Sequence, residues 1–452
     1  MQYRMRVERM MPAHDLRPAF ARIQSEMERI KADMAREGEV AYGPGSLALG
    51  WGYLFLKQPQ RALETLNAGW DSGFQTPGMA YALARTHCDA YEEELPLARA
   101  QGEKAIQTLK EHHMVPARHL FEVADSEGLE PSDLGKARLE TLDGDPGKAL
   151  AFADRALQTN PDAYEADAWK AEALNDIGFG FQKEGNYAKA EQIYRQSDQA
   201  AIAAQTIGRS DEWALKVQLN RQLASVAIAE WQDKVFDLKS TAKLSDDLLA
   251  LNPDWLPAIA DRLTVSWRRA EILLNAGQDP RPVASEGWSR LEATGRIPGA
   301  IPRLQRDRLN LARILATYEF KHGRDPRAWI SKGLAGSRDD EYAADLLILR
   351  ARWEISHHID PTADLERAIA GCQRPTFESP TSAGVLATIG DAWLEKAKWL
   401  KDSGQNAEAA LSKAKNSFTT AKAVNPMNRA SHAGLREVSA LERQMQKSPT
   451  SI

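Results

Sequence analysis

Along most of the chain, apolar side chains recur at spacings of three and four, as in Phe20, Ile23, Met27, Ile30 and Met34, or Leu174, Ile177 and Phe181. That spacing places them on one face of a helix, and the strict alternation of a half-buried strand is not sustained anywhere. Alanine, leucine, glutamate, lysine, glutamine and arginine, all strong helix formers, fill the positions between. Glycine, proline or asparagine interrupts the pattern about every 12 to 20 residues. The reading is an all-α chain of antiparallel helix pairs.

The interruptions are of two kinds. Asn160-Pro161, Asn252-Pro253 and Asn425-Pro426 each end a second helix, because proline drives the residue before it out of the α region. Asp145-Pro146, Asp279-Pro280, Asp325-Pro326 and Asp360-Pro361 mark turns inside hairpins. In the first three a glycine closes one helix in the left-handed conformation, and in all four aspartate caps the next helix and proline occupies a first-turn position that needs no N–H.

Residues 171–204 fit the tetratricopeptide pattern of about 34 residues: Leu174, Ile177, Gly178 and Phe181 on a first helix, a turn at Gly185-Asn186-Tyr187, then Ala190 and Tyr194 on a second. Gly178 and Ala190 are small where two helices cross, and Phe181 and Tyr194 fill the space between hairpins. Looser copies start at Gly43, with Leu49, Gly50, Tyr53, Ala62 and Leu66, and at Ala383, with Leu386, Ile389, Gly390 and Trp393. The expected fold is an irregular tetratricopeptide-like solenoid of helical hairpins in a right-handed superhelix. It divides into an N-terminal helical region over 1–42, repeats over 43–446 and a flexible tail over 447–452, with less regular stretches at 101–130 and 373–380.

Composition narrows the function classes. Of 452 residues, 43% are hydrophobic and 27% charged, enough apolar content for a folded core, and the net charge of -5 argues against nucleic acid as the main partner. No apolar run approaches the length of a membrane span, and the first residues hold no apolar stretch of the signal-peptide kind. Cys88 and Cys372 are too few for a disulfide framework.

Several strings resemble something more specific. Met11-Pro12-Ala13-His14-Asp15-Leu16-Arg17-Pro18, then Gly43-Pro44-Gly45 with Ala48-Leu49-Gly50-Trp51-Gly52-Tyr53, Gly73-Phe74-Gln75-Thr76-Pro77 before Tyr81-Ala82-Leu83, Ile207-Gly208-Arg209-Ser210-Asp211 and Gly277-Gln278-Asp279-Pro280 follow one another over residues 3 to about 370. In that order they resemble the region after the membrane helix in bacterial transmembrane serine/threonine protein kinases. The chain departs from that pattern at Ala84-Arg85-Thr86-His87-Cys88, where the family tends to carry glycines and small residues. The resemblance implies an extracytoplasmic (periplasmic) sensor region, with the kinase domain and one membrane helix upstream. The alternative is a cytoplasmic scaffold for protein–protein interactions.

Catalytic chemistry is not expected of this chain. The glycine-rich loop, Val-Ala-Ile-Lys, His-Arg-Asp and Asp-Phe-Gly of a kinase domain are absent in order. Gly43-x-Gly45 follows no strand and reads as a helix-start turn rather than a phosphate cradle. His112-His113 and His357-His358 are neighbours that diverge around a helix, so no metal and no cofactor is expected. Carboxylates after Cys88 argue against a reactive thiol, and Arg303, Arg306, Arg308 and Arg313 read as the solvated face of a core helix. The repeat register instead points Trp51, Asn175, Phe179, Gln182, Lys183, Asp391 and Glu395 into a groove lined by first helices. Such a mixture suits a protein or peptide ligand best. A small-molecule signal and a homodimer are compatible with it, and a membrane enters only through the upstream helix.

Overall fold

The computed structural model describes residues 1–124, 131–234, 236–297, 303–374, 379 and 381–447, and every described element is helical. Two compact units divide the chain: residues 1–179 with 188–261, and residues 180–187 with 262–452.

In the first unit, α1 (Gln2–Met10) and α2 (Arg17–Glu37) precede the pair α3 (Glu39–Phe55) and α4 (Pro59–Asp71). Next come α5 (Pro77–Gln101), which packs against α6 (Glu103–Leu109), a π-helical turn at Lys110–Met114 and α7 (Val115–Val123). The pair α8 (Ser132–Asp143) and α9 (Pro146–Thr159) follows, then α10 (Tyr164–Lys183) with α11 (Tyr187–Ile207), of which residues 180–187 count with the second unit, and α12 (Glu212–Trp231) with α13 (Lys239–Leu251). Helix α14 (Leu256–Asn275) runs across the division at residue 261.

The second unit pairs α14 with α15 (Arg281–Thr294), α16 (Gln305–Lys321) with α17 (Arg327–Leu334), α18 (Glu341–Ser356) with α19 (Thr362–Gln373), and α20 (Ala383–Asp402) with α21 (Glu408–Val424). Helix α22 (Arg429–Lys447) covers the last pair, against which Val438 and Leu441 are buried. The chain is therefore an all-α array of helical hairpins. The expected irregular loop at 373–380 lies largely outside the described residues, as do residues 125–130 and the tail after 447.

The punctuation works through named hydrogen bonds. Gly144, Gly277 and Gly323 have φ of 86°, 71° and 68°, and the aspartates that follow accept from the next helix: Asp145 from the Lys148 N–H, Asp279 from Arg281 and Asp325 from Arg327. In the last two, the arginine also forks onto the carboxylate, and Arg327 lies 3.9 Å over the Trp353 ring. Asn160, Asn252 and Asn425 take extended conformations immediately after α9, α13 and α21.

Two expectations are corrected. Gly43-Pro44-Gly45 lies inside α3 rather than at its start, so the boundary drawn at residue 43 falls within a helix. The reason is packing: a Cβ on Gly43 would meet Phe74, on Gly45 Met34, on Gly50 Leu66 and on Gly52 Met27, so these glycines admit side chains of α2, α4 and the turn after it. The hairpin read at 171–204 is also longer than about 34 residues, because α10 and α11 run to 20 and 21 residues.

Candidate functional site

First helices of successive hairpins contact one another through side chains of one charged and aromatic face. In the first unit, Trp51 and Phe55 of α3 stack near Tyr81 of α5, and Arg85 lies 5.4 Å over the Trp51 ring. Arg138 of α8 pairs with Asp89 and Glu92 of α5 and lies 5.7 Å over Trp169 of α10. Trp169 and Trp213 of α12 approach to 4.6 Å, and Lys216 of α12 donates to Asp261 of α14 at 2.8 Å. In the second unit, Thr264 and Trp267 of α14 donate to Asp307 of α16 at 2.8 and 2.9 Å, Arg313 bridges Glu271 and Asp345, Arg352 donates to Glu395, and Lys398 reaches Glu437.

On this face of the first unit sits the chain's own first helix. Arg6 of α1 lies 3.3 Å from the Glu165 carboxylate and donates to the Asp162 carbonyl at 3.1 Å. Arg9 lies 3.4 Å from Asp211 and 5.7 Å over the Phe55 ring. The last carbonyls of a helix lack intrahelical donors, and the turn at 208–211 supplies them: the Ser210 N–H donates to the Arg9 carbonyl at 2.7 Å and Arg209 Nε to that of Met10 at 3.3 Å. The Ser210 hydroxyl lies within 3.1 Å of the Met11 and Pro12 carbonyls and of His14. Further on, the Leu16 N–H donates to the Leu251 carbonyl at 2.9 Å, and the Leu16 side chain is fully buried.

Local sequence builds the seat. A Cβ on Gly208 would lie 2.4 Å from the Tyr164 ring, so glycine lets Tyr164 pack there and donate its hydroxyl to Asp211 at 3.1 Å. Asp211 also caps α12 by accepting from the Trp213 and Ala214 N–H groups. Burial opposes the charge on Arg9, but Asp211, Tyr164 and Glu212 outweigh it and hold the guanidinium above its ordinary pKa. Glu172 of α10 is the opposite case. Its Oε2 is enclosed without a donor, and burial, with Asp176 beside it, raises its pKa to about 8 against the pull of Lys216.

The residues read from the sequence fall as follows. In the first unit, Trp51 is buried under Arg85, Asn175 is half-buried with its Oδ1 enclosed and without a donor, and Phe179 is 43% exposed. In the second, Lys183 is exposed, Gln182 is half-buried with its carbonyl accepting from Asn425 at 3.4 Å, Asp391 is half-buried, and Glu395 is buried between Arg352 and Lys398. Trp51 and Glu395 are thus corrected from groove lining to packed positions, because the helix beside each supplies an arginine that covers or neutralises it. Burial, with Asp345 and Glu395 nearby, holds the Asp391 pKa up at about 6 despite Arg352.

Arg6, Arg9, Glu165, Asp211 and Glu172 were not singled out from sequence. The one signal was indirect: the strings Met11–Pro18 and Ile207–Asp211, noted only for their resemblance, are the two that meet at Ser210.

Other candidates resolve into packing. His113 is buried with its Nδ1 3.1 Å from that of His87, and burial, then His113, lowers the His87 pKa to about 4. Burial pushes the Cys88 thiol up to about 12. Among the described residues no group of three His, Cys, Asp or Glu side chains is placed to hold a metal ion, and no helix is long and apolar enough to cross a membrane.

No family model matches the chain, and no curated protein matches it. Solved structures similar to it include yeast Tom70 at 10% identity, over 96% of this chain and 90% of that one, with a TM-score of 0.40. The TPR domain of P58(IPK) is 14% identical over 90% and 99%, with a TM-score of 0.25, and the human IFIT1 dimer with PPP-AAAA is 13% identical over 78% and 70%, with a TM-score of 0.38. The fold itself rests on the helix order and packing above.

Proposed function

We propose that this chain is a non-catalytic recognition module that binds a segment of protein along its first-helix face. The observation that carries the reading is the seat of α1, where two carboxylates pair with Arg6 and Arg9, backbone and side-chain donors meet the carbonyls after the helix, and Met5 and Leu16 are buried. Arginine on carboxylate is a strong contact of defined geometry, and an amphipathic helix laid on a complementary face is a recurring mode of peptide recognition.

The finer reading places the module on the extracytoplasmic side of the bacterial inner membrane, as the sensor of a serine/threonine kinase. Its support is the resemblance, together with the meeting of two of the resembling strings at Ser210. A ligand bound to the first-helix face then biases the kinase only through different affinity for its two states.

The test is the triple variant Phe179→Ala, Gln182→Ala, Lys183→Ala, assayed in the full-length gene product. Signal-dependent autophosphorylation falls while helicity and melting stay close to wild type, because exposed and half-exposed positions add little to the core. Unchanged signalling moves the site away from the end of α10, and a gene product without a kinase domain leaves the scaffold reading in its place.

A further inference from the structure

We propose that the α1 seat is a receptor for basic amphipathic helices and that α1 is its resident, exchangeable occupant. The proposal rests on the protein-binding reading above and names the partner class: a short helix with an apolar anchor and two arginines one turn apart, followed by an extended segment that ends in a second apolar anchor.

Two observations carry it. First, α1 is held by little of its own hydrophobicity. Of its residues only Met5 is buried, while Tyr3, Val7 and Met10 are 67%, 41% and 37% exposed. With so few of its side chains buried, α1 belongs to the low-stability end of the fold and can leave its seat without opening the hairpins behind it.

Second, the contacts are those of a ligand. Arg6 meets Glu165, Arg9 meets Asp211, and the carbonyls from Arg9 to Pro12 face the donors of Arg209 and Ser210. None of them needs a covalent link between α1 and the seat. Arginine at both cationic positions is what a carboxylate-lined seat selects, since its fork stays charged and bridges oxygens that lysine meets singly.

The experiment uses the full chain carrying Arg6→Glu and Arg9→Glu, which empties the seat without deleting anything. The probe is a fluorescent synthetic peptide of residues 1–16, followed by anisotropy at low salt. Expected are one-to-one saturable binding to the variant chain, at least about tenfold weaker binding of the peptide with both arginines reversed, and weaker apparent binding to the wild-type chain, where α1 competes. If the double variant fails to fold, Arg6→Ala alone is used with the same peptides.

A second arm labels wild-type chain at Tyr3→Cys, a unique accessible thiol because Cys88 and Cys372 are buried. Added peptide then lowers the label's anisotropy as α1 leaves. No binding to the emptied seat, or equal binding of the charge-reversed peptide, overturns the proposal. Loss of peptide binding with retained signalling defects in the Phe179, Gln182 and Lys183 variant removes the occupant but leaves the protein-binding function standing.

Discussion

Glu172 carries a carboxylate in a place that disfavours its charge. Its folded pKa of about 8 lies above the ordinary 4.5, so between those values the folded state holds a proton that the unfolded state has released. The contribution is therefore fully present below pH 4.5 and is lost as pH rises through 8. Glu172→Gln keeps the shape and removes the titration. Thermal melts are expected to match wild type near pH 5 and to exceed it at pH 9, by on the order of a few kcal/mol; parallel pH profiles for the two proteins would sink this account. Nothing in the sequence distinguishes Glu172 from the solvated glutamates around it. Its neighbours on the next hairpins, Lys216 and Asp261, are too distant in sequence for helical periodicity to bring them together, and only the stacking of α10, α12 and α14 does so.

Between α10 and α11 the crossing depends on a missing side chain. A Cβ at Gly178 would lie 2.5 Å from the ring of Tyr194, which is itself fully buried. Gly178→Leu is expected to lower stability by roughly 1 to 3 kcal/mol through overpacking, read from the midpoint of a urea melt, and a wild-type midpoint would contradict the packing described. This contact was legible, since glycine and tyrosine at those offsets belong to one repeat. So were the hairpin turns, where Gly-x-Asp-Pro names both the end of one helix and the start of the next. What misled was the same residue type in another role: Gly43 and Gly45 of α3 look like a turn, and they are notches for Phe74 and Met34. Trp51 misled for a related reason. Its register follows from the repeat, but Arg85, which covers it, belongs to the next hairpin.

At the scale of the molecule, the all-α hairpin order was legible because its signal is local and repeated many times. The seat of α1 was not, because it joins residues some two hundred positions apart, from Arg9 to Ser210 and from Leu16 to Leu251. No period links a leading helix to the turn between two later hairpins. The central claim is that the first-helix face holds a helical segment by charge pairing, and a charge swap tests it most directly. Hydrogen exchange of the α1 amides is to be measured in wild type, Arg6→Glu, Glu165→Arg and the double variant. Each single reversal should speed exchange in α1 by about tenfold or more, and the double variant should return most of that protection. Protection of α1 that is indifferent to all three changes would contradict the claim.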